Sequence, residues 1–172
     1  MIVPVTIGSQ GQFLDEAAYL TAVTSSGMLA GLQVSVATIL AESSYFVGDM
    51  VPVVVEAVGD YVSEMNRLIA GGTGLFLIVS TPDFRHDVAN AWVATVKVQA
   101  IERPVVNRSR AGRYFTAQRA CEVILATLKD RQPSEGWGVF RPRSISVVQS
   151  ERDVSNFECS GITRTIVRAV SA

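Results

Sequence analysis

The order of helix-like and strand-like segments predicts an α+β fold, a two-layer sandwich of a mainly antiparallel four-stranded sheet with two helices on one face. Three observations carry this. Apolar residues recur at three- and four-residue steps from Pro52 to Ile69 and again from Phe115 to Leu128, the period of a helix with one buried face. Leu75 to Val79, Trp92 to Ile101, Ser144 to Val148 and Phe157 to Val170 run apolar or alternate, as strands do. From Pro52 onward the order is helix, strand, strand, helix, strand, strand, so adjacent strands can pair as hairpins while both helices cover one face.

A chain of 172 residues suits one domain. Residues 1–50 are expected to form an N-terminal extension packed on the domain or on a neighbouring subunit, and residues 51–172 the domain itself. In the extension, Ile2 to Ile7 is β-prone, Gly8-Ser9-Gln10-Gly11-Gln12 reads as a turn, and Phe13 to Val23 suits a short helix with Asp15 and Glu16 in its first turn. Leu32 to Leu40 alternates, Leu32, Val34 and Val36 against Gln33, Ser35 and Ala37, which is the period of a half-covered strand; a helix stays open there.

Pro52 stands where a first helical turn tolerates it, and Val54, Val55, Val58, Tyr61, Val62, Met65, Leu68 and Ile69 then mark a buried helical face. Gly71-Gly72 ends that helix where a left-handed backbone is needed. Leu75 to Val79, between Gly74 and Ser80-Thr81-Pro82, reads as a central strand buried on both faces. Trp92, Ala94, Val96, Val98 and Ala100 oppose Thr95, Lys97 and Gln99 in a half-exposed strand. An Arg-rich connection, Val105 to Arg113, leads to the second helix, with Phe115, Ala117, Cys121, Ile124, Leu125 and Leu128 on its apolar face and Gln132-Pro133-Ser134 and Gly136 at its end. Two strands close the chain around the turn Glu151-Arg152-Asp153. In the last, Ile162, Arg164, Ile166, Arg168 and Val170 share one face.

Charge is distributed unevenly. Met1 to Asn66 holds seven acidic residues and no Lys or Arg, whereas Arg67 to Ala172 holds all fifteen basic residues and nine acidic ones. The halves carry −7 and +6, so copies of the chain can attract head to tail. A hydrophobic content of 48% points the same way, to apolar surface buried between subunits. Ala17 to Ala41 is uncharged and long enough for a membrane span, but Thr21, Thr24, Ser25, Ser26, Gly27, Gly31, Gln33 and Ser35 interrupt it and no basic residue flanks it. Neither a membrane nor a signal peptide is expected.

Candidate sites are few. Gly71-Gly72-Thr73-Gly74 follows a helix and precedes a strand, the reverse of a phosphate-binding loop, so it reads as a helix cap and turn. His86 lies in the polar connection Asp83-Phe84-Arg85-His86-Asp87 and reads as a solvated loop residue. Cys121 and Cys159 are far apart, without metal spacing, and read as buried free thiols, with a disulfide as the alternative. No catalytic residue, cofactor or metal is expected. Arg103, Arg108, Arg110, Arg113 and Arg119 fall within 17 residues at the start of a helix, where arginines oppose the helix dipole. With Arg164 and Arg168 they are candidates for contact with DNA phosphates or with a neighbouring subunit, the alternative being a solvated basic loop. The acidic half favours the subunit, through Asp49, Glu56, Asp60 and Glu64.

This element order resembles the tail-terminator (tail-completion) proteins of long-tailed bacteriophages, small α+β proteins that form a hexameric ring on the finished tail tube. Trp92-Val93-Ala94-Thr95-Val96-Lys97-Val98, Ala117-Gln118-Arg119-Ala120-Cys121-Glu122-Val123-Ile124-Leu125 and Gly161-Ile162-Thr163-Arg164-Thr165-Ile166-Val167 carry the likeness, which spans Pro52 to Val170. It implies a non-enzymatic virion protein, present in the host cytoplasm during assembly. Its partners would be further copies of itself, the tail tube protein, a head-completion or connector protein, and DNA passing weakly and non-specifically through the ring. The length before Pro52 leaves another neck or connector protein of this fold open. A small-ligand-binding or enzymatic α+β domain is the alternative from another class.

Overall fold

The computed structural model describes residues 28–47, 51–56, 61–86, 92–108 and 116–165. The elements are α1 (Met28–Ala41), α2 (Ser44–Val47), β1 (Val53–Val55), α3 (Tyr61–Ala70), β2 (Leu75–Val79), β3 (Asp83–His86), β4 (Trp92–Glu102), α4 (Pro104–Arg108), α5 (Ala117–Leu128), β5 (Arg141–Ser150) and β6 (Ser155–Thr165). The fold is α+β, as the segment order implies. Among the described residues the strands form a six-stranded sheet in the order β1-β2-β4-β6-β5, with β3 also on β4, and only the β1–β2 pair is parallel.

β4 organises the sheet. Its eleven residues pair with β6 along one edge, and with β2 and then β3 along the other. Because directly opposed residues share a face, Ala94, Val96, Val98 and Ala100 line one face with Leu77, Val79, Cys159 and Phe157. α1 and α5 pack on that face, burying Leu32, Val36, Leu40, Ala120, Cys121, Ile124 and Leu128 in one core. Thr116 caps α5, its Oγ1 accepting the Arg119 N–H at 3.1 Å.

The two helices on this face are α1 and α5, rather than the pair expected. Val53-Val54-Val55 is a strand, not the start of a helix. Three consecutive β-branched residues pair in parallel with β2 and are buried on both faces, a tertiary arrangement that overrides the three- and four-residue spacing. The helix begins at Tyr61 and lies on the opposite face, where Leu68, Met65 and Ile69 cover Val54, Phe76, Ile78 and Ile101. Val62, expected in the core, is 45% exposed. Leu32 to Leu40 is helical, and its alternation carries no strand meaning because α1 is buried on most sides, down to Gln33, whose Nε2 donates to Val79 O at 2.7 Å. The expected elements within residues 1–27 lie outside the described residues.

α3 ends as Gly71-Gly72 implies. Gly72 has φ of 74°, the Thr73 N–H reaches Leu68 O at 3.0 Å and the Gly72 N–H reaches Ile69 O at 3.2 Å, which together form a Schellman cap.

Candidate assembly surface

Among the described residues α3 covers only the β1–β2 end of its face, and the rest of that face is uncovered. By register it presents Asp83 and Arg85 of β3, Thr95, Lys97 and Gln99 of β4, Glu158, Ser160, Ile162 and Arg164 of β6, and Arg141, Ser144 and Ser146 of β5. Polar residues alternate with core residues along β4 and β6, so this surface is solvated while the sheet beneath it is dry. It is also knitted. Lys97 Nζ lies 3.1 Å from Asp83 Oδ2, Asn156 Nδ2 donates to Gln99 Oε1 at 3.1 Å, and the Ser144 and Ser160 hydroxyls are 2.9 Å apart. The hydrogen bond that Lys97 donates to Asp83, then the charges of Asp83 and Glu158, hold the Lys97 ammonium's pKa above its ordinary value. Arg141, Arg143 and Arg164 rim a cleft of about 370 Å³ floored by Ile162. Arg141 also pairs with Asp130 at 3.0 Å.

β5 closes the sheet, with β6 its only strand partner among the described residues. Its side chains are exposed on both faces except at Pro142, and Ile145, Val147 and Val148 remain 38%, 57% and 53% accessible. An edge strand with three exposed aliphatic residues and no charge from Ser144 to Ser150 is a surface suited to another strand.

The Arg cluster divides. Arg103 is a structural cap: its Nη1 donates to Ile69 O at 2.9 Å, placing a cation at the C-terminus of α3, where the helix dipole favours it. The neighbouring Glu102, 3% exposed, accepts from Asn107 Nδ2 at 3.1 Å and from the Ala117 N–H at 2.8 Å. One buried carboxylate therefore holds both ends of the Arg-rich connection. Arg108 closes α4, and Arg119 is exposed on α5 in an ion pair with Glu122. Arg110, Arg113 and Arg168 lie outside the described residues. Of the acidic candidates, Glu56 accepts the Thr81 N–H at 2.6 Å, Glu64 lies on α3, and Asp49 and Asp60 fall outside the described residues. Thus the structure brings Arg164 to the open face, beside Arg141 and Arg143, whose place sequence reading missed. Their alternation on a charged strand was visible, but which strand ends the sheet was not.

His86 is the last residue of β3 rather than a loop residue, its ring edge-on to Trp92 at 5.1 Å. Cys121 and Cys159 are free and buried; the Cys159 thiol donates to Val98 O at 3.5 Å, and its contact with Cys121 followed by burial pushes it far above the ordinary thiol range. Among the described residues no three His, Cys, Asp or Glu residues are grouped to hold a metal, and no helix is long and apolar enough to cross a membrane.

No family model matches the chain, and no curated protein matches it. Among solved structures it is similar to a chain of the virion of a native gene transfer agent (GTA) particle, at 18% identity with a TM-score of 0.54. The match covers 80% of this chain and 96% of the other, a likeness of fold.

Proposed function

We propose that the chain is a virion structural protein without catalytic activity, which forms a ring, a homohexamer, at the head-proximal end of a phage-type tail. The ring ends tube polymerisation through one face and meets the head's connector through the other. The observation that carries this is the fold shared with a chain of a GTA virion over 96% of that chain's length. Two features of the surface support it. The first 66 residues are acidic and the remainder basic, a complementarity suited to head-to-tail contact between copies. The open sheet face, with Lys97, Arg141 and Arg164 offset by Asp83 and Glu158, suits a channel lining that lets DNA pass without gripping it.

Negative-stain imaging and sedimentation of the purified protein test the proposal. A closed ring of about six copies is expected. Reversing Arg108, Arg110 and Arg113 to Glu should lower the mass without unfolding the domain, and raised salt should act in the same direction. A parent that stays monomeric at every concentration overturns the ring.

A further inference from the structure

We propose that β5 of one copy pairs antiparallel with β3 of the next, so that one sheet continues from subunit to subunit. The inference rests on the ring reading and specifies its contact. Both edges are open among the described residues: β5 pairs only with β6, and β3 only with β4. β1 lies beside β2 along Leu77–Val79, and among the described residues no strand lies outside Asp83–His86.

Direction is the first argument. β3 runs antiparallel to β4, β4 to β6 and β6 to β5, so β5 and β3 of one copy point in opposite senses. Rotation about a ring axis keeps the sense of every strand, so β5 meets the next β3 antiparallel, the more stable pairing.

Side-chain parity is the second. Ile145 and Val147 oppose Cys159 and Phe157, which places them on the helix-covered face. Phe84 and His86 oppose Ala94 and Trp92, on the same face. A continuous sheet therefore brings exposed aliphatic residues of one copy against an aromatic group of the next, Phe84 stacked on Trp92 at 4.7 Å and edge-on to Trp137 at 6.1 Å. The two β5 bulges, between Pro142 and Ser144 and between Val147 and Gln149, bracket a regular stretch of four residues, Ser144 to Val147, matching the four of β3.

Register is the third. Straight across the sheet, Asp83 is level with Thr95, Ile162 and Arg141. Setting Val147 opposite Phe84, which is level with Ala94 and Thr163, shifts the chain by the six positions of β6 from Thr163 to Phe157, or ~20 Å, over four strand spacings of ~4.8 Å. That slip tilts the strands by about 45°, at the upper end of the roughly 35–45° that closed barrels require.

Sedimentation and disulfide trapping test the contact. Ile145→Lys with Val147→Lys alters only exposed positions and should convert the oligomer to monomers with an unchanged circular dichroism spectrum. Ile145→Cys combined with His86→Cys, directly opposed when Val147 faces Phe84, should give, on mild oxidation, a ladder of covalent multimers that neither single variant gives. An oligomer whose mass survives the lysines and yields no ladder overturns the β5–β3 contact while leaving the ring intact. Dimers from Val147→Cys alone assign β5 to its own counterpart and overturn it. A ladder from Val147→Cys with Val5→Cys instead assigns the edge to the chain's leading segment and overturns it too. A monomeric parent removes the ring itself.

Discussion

The ring of Phe140 lies over the α-carbon of Gly161, in the space that a β-carbon there would occupy. Gly161 stands in the middle of β6, opposite Val96, and strands usually avoid glycine. Here the missing side chain lets the distal ring atoms of Phe140, itself buried, approach β6 closely. The aromatic ring restores the apolar cover that glycine lacks.

Gly161→Ala should therefore destabilise the domain by about 1–3 kcal/mol through overpacking, and Phe140→Ala by about 3–5 kcal/mol through lost burial. The double variant should be less destabilised than the sum of the two, because alanine at 161 then enters space that the ring has left. Urea midpoints of the four proteins check this; strict additivity would show that the ring and the glycine do not share the space.

Glu102 makes a second local prediction. Glu102→Ala leaves the Ala117 N–H and the Asn107 amide without the carboxylate that receives them, a loss of roughly 1–3 kcal/mol for each buried donor left unsatisfied. Exchange of the Ala117 amide proton should speed up more than that of Ile124, since the N-terminus of α5 loosens before its centre. Uniform acceleration along α5 would mean that Glu102 acts on global stability alone.

Legibility followed burial geometry. β4 and α5 could be read because each has one dry and one wet side, so the period of 2 or 3.6 is written in the residues themselves. β1 and α1 could not. Val53-Val54-Val55 is dry on both faces, and α1 is dry nearly all round, so neither shows a period that distinguishes strand from helix. The cap role of Arg103 depends on Ile69, distant in sequence, and the exposure of Val147 and Val148 depends on β5 being the last strand. Pairing order is a property of the whole sheet, and no window of residues contains it.

The two thiols should be inert. Cys121 and Cys159 are buried against each other across the α5–β6 interface, and Cys159 is held protonated far above the ordinary thiol range. Raising the pH from 7 to 9 should not bring Cys159 into reaction with a thiol reagent, because its folded-state pKa lies above that window and the thiolate does not form. Both thiols should titrate at once in denaturant. Rapid native labelling of Cys159 would place it at a surface that this packing excludes.

If the open sheet face lines a channel, Arg141, Arg143 and Arg164 are the cations best placed to meet phosphates, since they line one cleft at the β5–β6 edge of the sheet. Arg141 is already shared with Asp130, and Lys97 with Asp83, so the net attraction is mild. Passage without capture needs this balance: each phosphate neutralised adds about 0.9 to the slope of log affinity against log salt, and a long run of unpaired cations would hold the DNA. Binding of duplex DNA at low salt should be weak, independent of sequence and lost steeply as salt rises. Arg141→Gln, Arg143→Gln and Arg164→Gln together should lower the salt slope by about 2–3 and leave the oligomer's mass unchanged. Fluorescence anisotropy across a salt series measures both affinity and slope. An unchanged slope with a changed mass would transfer these arginines from DNA to the contact between subunits, and a strong preference for one sequence would indicate a regulator in place of a ring.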